Sequence, residues 1–234
     1  MSKKVSLIAG STGFLGSKIL NYLQKEDQKI YSLSRKKNKI NSINIEEIIT
    51  DFDDLDNLEL PKIDHVYLCL GYELRAWELI SMPERKKDPF YKVDYEYTLN
   101  IAKKAEEAGA TSVSLVSAVG ANIKSESFYL KTKGDLEEEI KKLGFRTINI
   151  FQPGHLAGRI NWQRKKNEPR LDVFAFEIGS LFFDPLMISG LKRFRSIDAE
   201  KLAKFIVYQS KNADGGINRF DFKDFENFYK NKII

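Results

Sequence analysis

The stretch KVSLIAGSTGFLGSKIL, residues 4–20, joins an apolar run to a glycine-rich turn and then to a segment of helical period. Gly10, Gly13 and Gly16 follow the apolar run directly. In such a turn the first glycine permits the tight bend, the second lets the backbone approach a pyrophosphate, and the third allows close helix packing. The amino terminus of the helix supplies N–H groups and a positive dipole to the phosphates. The stretch therefore predicts a dinucleotide-binding strand, turn and helix, with a tight turn that binds no ligand as the alternative.

Apolar runs of strand length alternate with segments of helical period along the rest of the chain. That alternation is typical of β-α-β units and of a parallel sheet covered on both faces. We therefore expect an α/β fold with a Rossmann-like, doubly wound parallel sheet. Residues 159–195 are weakly patterned and rich in aromatic side chains, which predicts a small carboxyl-side substrate region. The predicted strands are 4–9, 29–34, 46–51, 65–70, 112–117 and 146–151, and the predicted helices are 13–25, 88–108, 128–143 and 198–211.

The composition favours a single domain, because 234 residues with 42% hydrophobic content can bury one sizeable core. The single cysteine excludes an internal disulfide, and no His, Cys, Asp or Glu spacing suits zinc, so we predict no metal. A net charge of +5 spread along the chain does not indicate nucleic-acid binding. Without an apolar leader or an apolar run of about 18 residues, the sequence predicts a cytoplasmic protein with no membrane contact.

The second predicted strand ends in SLSRKKNK, residues 32–39. In NAD-preferring folds an acidic residue at this point bonds the ribose 2'-hydroxyl, whereas an arginine pairs with a 2'-phosphate. Here Ser34 can hydrogen-bond such a phosphate, Arg35 and Lys36 can neutralise it, and no Asp or Glu occurs from Gln28 to Ile45. The sequence therefore favours NADP over NAD, with an exposed basic loop that binds no ligand as the alternative.

Tyr129 and Lys133 lie four residues apart in FYLKTKGDLEEEI, so a helix would place both on one face. Ser117 ends the fifth predicted strand, at the edge where open parallel sheets bind ligands. A phenol with a pKa of about 10 is a poor proton donor or acceptor at neutral pH, and a nearby ammonium lowers that pKa. We therefore expect Tyr129 to exchange a carbonyl or hydroxyl proton while a hydride moves to or from nicotinamide.

The glycine motif, the serine and the Tyr-x-x-x-Lys pair together resemble the short-chain dehydrogenase/reductase family. The stretches YKVDYEYTLNIAKKAEEAGATSVSLVSAVGAN, FYLKTKGDLEEEI and FQPGHLAGR are similar to the atypical subgroup that includes the human Tat-interacting tumour-suppressor oxidoreductase. The resemblance implies a Rossmann fold, catalysis by Ser117, Tyr129 and Lys133, and a lysine that also holds the nicotinamide ribose. With the positions that the resemblance adds, the predicted cofactor-binding residues are Gly10, Thr12, Gly13, Phe14, Leu15, Gly16, Ser34, Arg35, Lys36, Asp51, Phe52, Leu70, Gly71, Tyr129, Lys133, Pro153, Gly154, His155 and Leu156.

The chain departs from related sequences at two positions. Gln152 precedes Pro153 where arginine is common, and Ala118 stands where many members have a second serine. If the functional hydroxyl belongs at position 118, the serine role is vacant and catalysis is weak. Three functions follow: an NADP-dependent oxidoreductase of a small carbonyl or alcohol substrate, which we favour; an NADP(H)-binding regulatory or redox-sensing protein; and a sugar-nucleotide epimerase or dehydratase. A protein partner or a homo-oligomer remains open.

Overall fold

Parallel strands form the centre of the protein. The computed structural model describes residues 3–37, 42–158, 184, 187 and 189–231. Seven of its strands make one sheet in the order β3-β2-β1-β4-β5-β6-β9, each parallel to its neighbours, and β7 and β8 make a separate two-stranded ladder. The strands are β1 (Lys4–Ala9), β2 (Gln28–Ser34), β3 (Ile45–Ile49), β4 (His65–Leu68), β5 (Ser112–Val116), β6 (Thr147–Phe151), β7 (Leu156–Ala157), β8 (Ile197–Asp198) and β9 (Gly216–Phe220).

The strand order reverses between β1 and β4. From β1 the chain proceeds outward to β2 and β3, then crosses back to β4 and continues in the other direction. In doubly wound sheets the crevice outside the carboxyl ends of the strands at such a point is where ligands bind. The predicted Rossmann-like α/β class is confirmed, and the glycine turn after β1 lies at this point.

Six α-helices cover the sheet in the part of the chain that the structure describes. A π-helical turn, Lys92–Tyr97, joins two of them into one continuous helical rod. The connections that are described contain three short 3-10 helices, Phe52–Asn57, Ala76–Leu79 and Ser189–Phe194. None of the helices that are described is both long and apolar enough to cross a membrane. The helices are α1 (Phe14–Leu23), α2 (Glu84–Tyr91), α3 (Thr98–Glu107), α4 (Phe128–Lys142), α5 (Ala199–Asn212) and α6 (Phe222–Asn231).

Two apolar clusters lie on opposite faces of the sheet, because successive side chains of a strand point to opposite faces. Leu7 of β1 belongs to the cluster under α3 and α4, where Ile101 and Ile140 are fully buried. Its neighbour Ile8 belongs to the other cluster, with Ile19 of α1 and Phe205 of α5. The sheet is therefore covered on both sides, and the open carboxyl edge is left for function.

The predicted elements agree with the structure in kind, and their ends differ by a few residues. The predicted strands 46–51 and 65–70 end earlier, at Ile49 and Leu68, and the helix predicted from residue 88 begins at Glu84. The described chain closes with a strand and a helix, β9 and α6, which lie beyond the predicted ranges. Of the predicted substrate region 159–195, residues 159–183, 185, 186 and 188 lie outside the described residues.

Candidate functional site

The glycine turn after β1 is built from close backbone contacts. Gly10 has φ +90°, in the left-handed region that favours glycine. A Cβ on Gly10 would lie 2.5 Å from the carbonyl oxygen of Cys69, and one on Gly16 would lie 2.0 Å from the carbonyl oxygen of Gly10. Neither contact is possible for a larger residue, so these glycines bring β4, the turn and α1 together backbone to backbone.

Gly13 is the N-cap of α1, with extended backbone, and its amide donates to the carbonyl of Gly10 at 3.0 Å. Glycine has no side chain with which to cap the helix, so Gly13 itself makes no side-chain cap hydrogen bond. The side chains of Phe14 and Leu15 are each 7% exposed and pack into the core, which leaves only their backbones for a ligand. A pyrophosphate needs backbone donors and close approach rather than side chains, so this turn is the candidate phosphate site.

A cleft of about 790 Å³ opens beside the glycine turn, at the carboxyl ends of β2 and β3. The Arg35 guanidinium lies over the Phe52 ring, 5.8 Å from its centroid. The Ser34 hydroxyl donates to the carbonyl of Lys36 at 2.7 Å, which closes the loop that carries both cations. The structure thus brings the residues predicted to hold the 2'-phosphate together with Asp51 and Phe52, two of the positions that the resemblance adds. The cleft is lined by Thr12, Ser34, Arg35, Lys36, Ile49, Thr50 and Asp51.

Tyr129 and Lys133 lie in the first turns of α4, which begins after the cap residue Ser127. The Lys133 ammonium is 2.7 Å from Oδ1 of Asp94, and the two side chains are only 6% and 4% exposed. The other carboxylate oxygen of Asp94 accepts the backbone N–H of Tyr72 at 2.6 Å. Asp94 is absent from the predicted site. Its segment, YKVDYEY, has helical character in sequence, and only the structure shows that it forms the π-helical turn, a feature often found at functional sites.

The pKa of Tyr129 lies above its ordinary value. Burial is the largest cause, and the Asp94 carboxylate adds to it, whereas the Lys133 charge opposes both. The expected lowering by the ammonium is therefore present but outweighed. Burial alone would lower the pKa of Lys133, but attraction to Asp94 and then to Tyr129 raises it overall. The site therefore combines a neutral phenol with a buried ammonium.

Ser117 binds a second buried carboxylate. Its hydroxyl donates to Oε1 of Glu137 at 2.5 Å, and Glu137 is 1% exposed. Gln152 donates to the same oxygen at 2.9 Å, and Arg219 of β9 lies 3.3 Å from the other. The single hydroxyl proton of Ser117 is thus directed at Glu137 rather than at Tyr129. Gln152, where related sequences commonly have arginine, supplies an amide donor, while the guanidinium at this carboxylate comes from Arg219.

The loop after β6 carries the last four predicted cofactor-binding residues. The Pro153 carbonyl accepts the amide of Val119 at 2.9 Å, which ties this loop to the one after β5. A Cβ on Gly154 would lie 2.9 Å from the carbonyl oxygen of Arg195, so the two backbones are in close contact. The Nδ1 atom of His155 forms a hydrogen bond with the Ser196 hydroxyl at 3.0 Å, so this imidazole is held by a neighbouring loop. Leu156 begins β7.

The remaining predicted contacts divide between exposed and packed positions. Gly71 is exposed, with open space where a Cβ would lie, whereas Leu70 packs against the core beneath α3 and α4. His65 is fully buried at the start of β4, where its ring nitrogens pair with the Ser112 and Ser114 hydroxyls, and takes no part in the site. Within the described part of the chain, no group of three His, Cys, Asp or Glu side chains is placed to hold a metal ion.

Comparisons with known proteins identify a family and several relatives. The NAD dependent epimerase/dehydratase family matches residues 6–140. "Protein FMP52, mitochondrial" of Lodderomyces elongisporus is 34% identical over 211 residues, 86% of this chain and 84% of that protein. The protein of the same name from Meyerozyma guilliermondii is 33% identical over 157 residues, and this match spans 65% of each chain.

Two solved structures share the fold. A 3-oxoacyl-[acyl-carrier protein] reductase from Brucella melitensis, in complex with NAD, superposes with a TM-score of 0.68 at 15% identity, covering 97% of this chain and 98% of that one. The human epimerase family protein SDR39U1, with NADPH, gives 0.63 at 18% identity, covering 93% and 74%. At these identities the likeness concerns the fold, and the two structures differ in which nicotinamide cofactor they contain.

The expectation of a cytoplasmic protein is wrong, because the yeast relatives are named as mitochondrial proteins. That expectation rested on hydropathy alone. Mitochondrial address segments are amphipathic rather than apolar, so a hydropathy test does not separate the two compartments.

Proposed function

We propose, from the premise that this chain belongs to the NAD dependent epimerase/dehydratase family, that it is an NADP-dependent oxidoreductase acting on a small carbonyl or alcohol substrate. The resemblance to the short-chain dehydrogenase/reductase family is confirmed by that match and by the fold of the solved structures. The observation that carries the proposal is the buried Lys133 ammonium on the same helix face as Tyr129, at the sheet edge where the glycine turn lies.

The chemistry divides between the cofactor and the side chains of α4. When bound, the nicotinamide supplies the hydride donor or acceptor. Tyr129 gives a proton to the substrate oxygen in reduction and takes one in oxidation. Lys133 stabilises the charge that develops on Tyr129, and its remaining N–H groups are available to ribose hydroxyls. We assign Ser117 the role of accepting a hydrogen bond from the hydroxyl of an alcohol substrate, since its own proton is directed at Glu137 and is not available to a carbonyl oxygen.

Replacement of the Tyr129 hydroxyl tests the catalytic part of this proposal. We expect Tyr129→Phe to bind NADPH as wild type does but to lose nearly all turnover, because the ring packing against Phe90 remains and only the proton-transferring oxygen is lost. Turnover is followed by nicotinamide absorbance with a panel of aldehydes, ketones and quinones. Tyr208→Phe, on the exposed side of α5, is the matched control. Similar rates for wild type and Tyr129→Phe would overturn the assignment.

We propose the preference for NADP from the two cations beside the cleft. Arg35 and Lys36 line the cleft, and each charge-assisted contact to a 2'-phosphate is worth about 1.5–3 kcal/mol. We therefore expect NADPH to bind at least about tenfold more tightly than NADH. Fluorescence titration with both cofactors measures this, with Arg35→Ala as the test variant and Lys124→Ala, an exposed lysine elsewhere, as its control. Equal affinities, or an Arg35→Ala protein that keeps the preference, would remove the NADP assignment.

An epimerase or dehydratase is the second candidate, and the family match over residues 6–140 is the observation that favours it. In that case the hydride returns to the substrate, so the cofactor shows no net oxidation or reduction. Incubation with sugar nucleotides and a trace of cofactor separates the two: product in excess of cofactor, with unchanged nicotinamide absorbance, supports the epimerase or dehydratase. A protein that binds NADPH but turns over no substrate class would instead support the regulatory alternative.

We also propose a mitochondrial location, on the strength of the relatives' names. Fractionation of yeast cells that express the tagged chain tests it. Recovery of the chain in the cytosolic fraction alone would contradict it.

A further inference from the structure

A row of polar side chains crosses the buried face of the sheet beneath α5. Asn149 of β6 lies in register with Ser114 of β5 on one side and with Asn218 of β9 on the other. Asn149 is fully buried and Ser114 is 1% exposed. Two residues along β6, on the same face, the Phe151 ring packs against Phe205 of α5. Polar groups at this depth need hydrogen-bond partners within the protein, because the apolar side chains around them supply none.

The orientation of the Asn149 amide is fixed by Asn218. The Nδ2 atom of Asn218 donates to the backbone carbonyl of Asp214 at 2.8 Å and to Oδ1 of Asn149 at 3.1 Å. A backbone carbonyl can only accept, so the NH₂ group of Asn218 must face Asp214, and Asn149 must then present its oxygen to β9. The NH₂ group of Asn149, with two N–H donors, therefore lies on the side of the amide that faces away from β9.

The Nδ2 atom of Asn149 is buried and has no hydrogen-bond partner among the residues that the structure describes. Ser114 occupies the adjacent position on β5, and its hydroxyl lies 3.0 Å from Nε2 of His65. A hydroxyl has one donor and two acceptor lone pairs, so the bond to His65 leaves Ser114 able to accept another. A donor and an acceptor on neighbouring strands that do not meet directly can be joined by one water, which needs at least two polar partners.

We propose that one water molecule is bound inside the protein between β5 and β6, where it accepts a hydrogen bond from Nδ2 of Asn149 and donates one to Oγ of Ser114. A buried amide N–H without an acceptor is strongly unfavourable, whereas the ordering of one water costs little. The water completes a chain of hydrogen bonds that runs from His65 of β4 through β5 and β6 to Asn218 of β9. It thereby ties the edge strand to the centre of the sheet, whatever reaction the protein performs.

The test is the number of long-lived internal waters in the full chain, measured by magnetic relaxation dispersion of water oxygen-17, to which hydroxyl protons of the protein do not contribute. We expect Asn149→Leu, which keeps a side chain of similar size but removes the N–H donors, to lower the dispersion amplitude by one water relative to wild type. Asn227→Leu, at an exposed position of α6, is the matched control and should leave the amplitude unchanged. An unchanged amplitude in Asn149→Leu overturns the proposal.

Two further measurements cover the case in which Asn149→Leu does not fold. Ser114→Ala removes the acceptor and should also lose the water, whereas Ser112→Ala should keep it, because Ser112 bonds the other ring nitrogen of His65 and lies in register with Thr147. Loss of the water in both variants, or in neither, would contradict the bridge at Ser114.

The wild-type protein alone decides the matter as well. A crystal structure should show an oxygen about 2.7–3.2 Å from both Nδ2 of Asn149 and Oγ of Ser114. Well-ordered density for both side chains with no such oxygen would overturn the proposal. Neither the relaxation nor the diffraction measurement needs cofactor or substrate, so both results are independent of the proposed oxidoreductase function.

Discussion

Glu137 is a buried carboxylate one turn beyond Lys133 on α4. A buried charge destabilises a fold unless donors replace the water it has lost. Ser117 and Gln152 supply two such donors from the loops after β5 and β6, and Arg219 approaches from β9. Because the Arg219 side chain is 50% exposed, solvent screens its attraction, so the two neutral donors account for much of the stabilisation.

Truncation of Glu137 should therefore cost stability through the groups it leaves behind. In Glu137→Ala the Ser117 hydroxyl and the Gln152 amide lose their acceptor, at about 1–3 kcal/mol each for a buried polar group. We expect the free energy of unfolding, measured in urea, to fall by at least about 2 kcal/mol. The neighbouring Glu138→Ala, which removes a pair with Lys141 at a 47% exposed side chain, should change it by no more than about 1 kcal/mol. Equal losses of unfolding free energy in the two variants would contradict the role of Glu137 as a stabilising buried acceptor.

His65 gives the fold a pH dependence. Burial, and secondarily the charge of Lys4, holds its pKa well below the ordinary value, while both ring nitrogens pair with serine hydroxyls of β5. In the unfolded chain histidine titrates near about 6.5. Below that pH the unfolded state takes up a proton that the folded state refuses, so stability should fall as pH decreases through this value. Urea unfolding at pH 7.5 and 5.5 measures the change, and His65→Gln should reduce it. An identical pH dependence in the variant would contradict this assignment.

The ends of the elements show what local sequence can and cannot determine. The bounds of β1 were predicted to the residue, because an apolar run there stops at a glycine with positive φ. β4 was predicted to run to residue 70, since its apolar character continues that far. It ends at Leu68, which pairs with Ala9, the last residue of β1, and beyond it only the Cys69 N–H still donates to the Ala9 carbonyl. The end of a central strand is thus set by its neighbours in the sheet.

The approach of α1 to β1 depends on the small size of Gly16. An added Cβ would lie 2.0 Å from the Gly10 carbonyl, a backbone atom that can move only with the strand or the helix. We expect Gly16→Ala to lower the free energy of unfolding by about 1–3 kcal/mol or more, and to weaken NADPH binding because the cradle is displaced.

Gly215→Ala is the matched control for this glycine, because its Cβ would meet its nearest neighbour at an ordinary 3.7 Å. Thermal unfolding and cofactor titration of both variants make the comparison. If Gly16→Ala binds NADPH with wild-type affinity, the turn does not depend on this close approach.

The part of the site that was predictable is the part encoded locally. The glycine turn and the Tyr129 and Lys133 pair are short patterns within single segments, and the structure has them at one edge of the sheet. Asp94 and Glu137 were missed because their roles arise from contacts between elements far apart in the chain. Two signals were available: an acid within an otherwise amphipathic helical segment, and an acid one turn past Lys133. Neither signal tells which residue the acid contacts, because that residue is known only from the fold. The role of Ser117 stays a prediction.

Cofactor binding should stabilise the protein as a unit, because the proposed site contacts both faces of the sheet. The glycine turn leads into α1 on one face, and Tyr129 and Lys133 belong to α4 on the other. A ligand that binds only the folded state adds about 2.7 kcal/mol at a concentration of 100 times its dissociation constant. For a domain of this size that corresponds to a rise in Tm of about 5–10 °C.

At equal concentrations we expect NADPH to raise Tm more than NADH does. The Arg35→Ala variant should remove this difference, whereas Lys124→Ala should keep it. Equal shifts in wild type would mean that the cations beside the cleft do not meet a 2'-phosphate, and no shift with either cofactor would mean that the glycine turn is a structural bend alone.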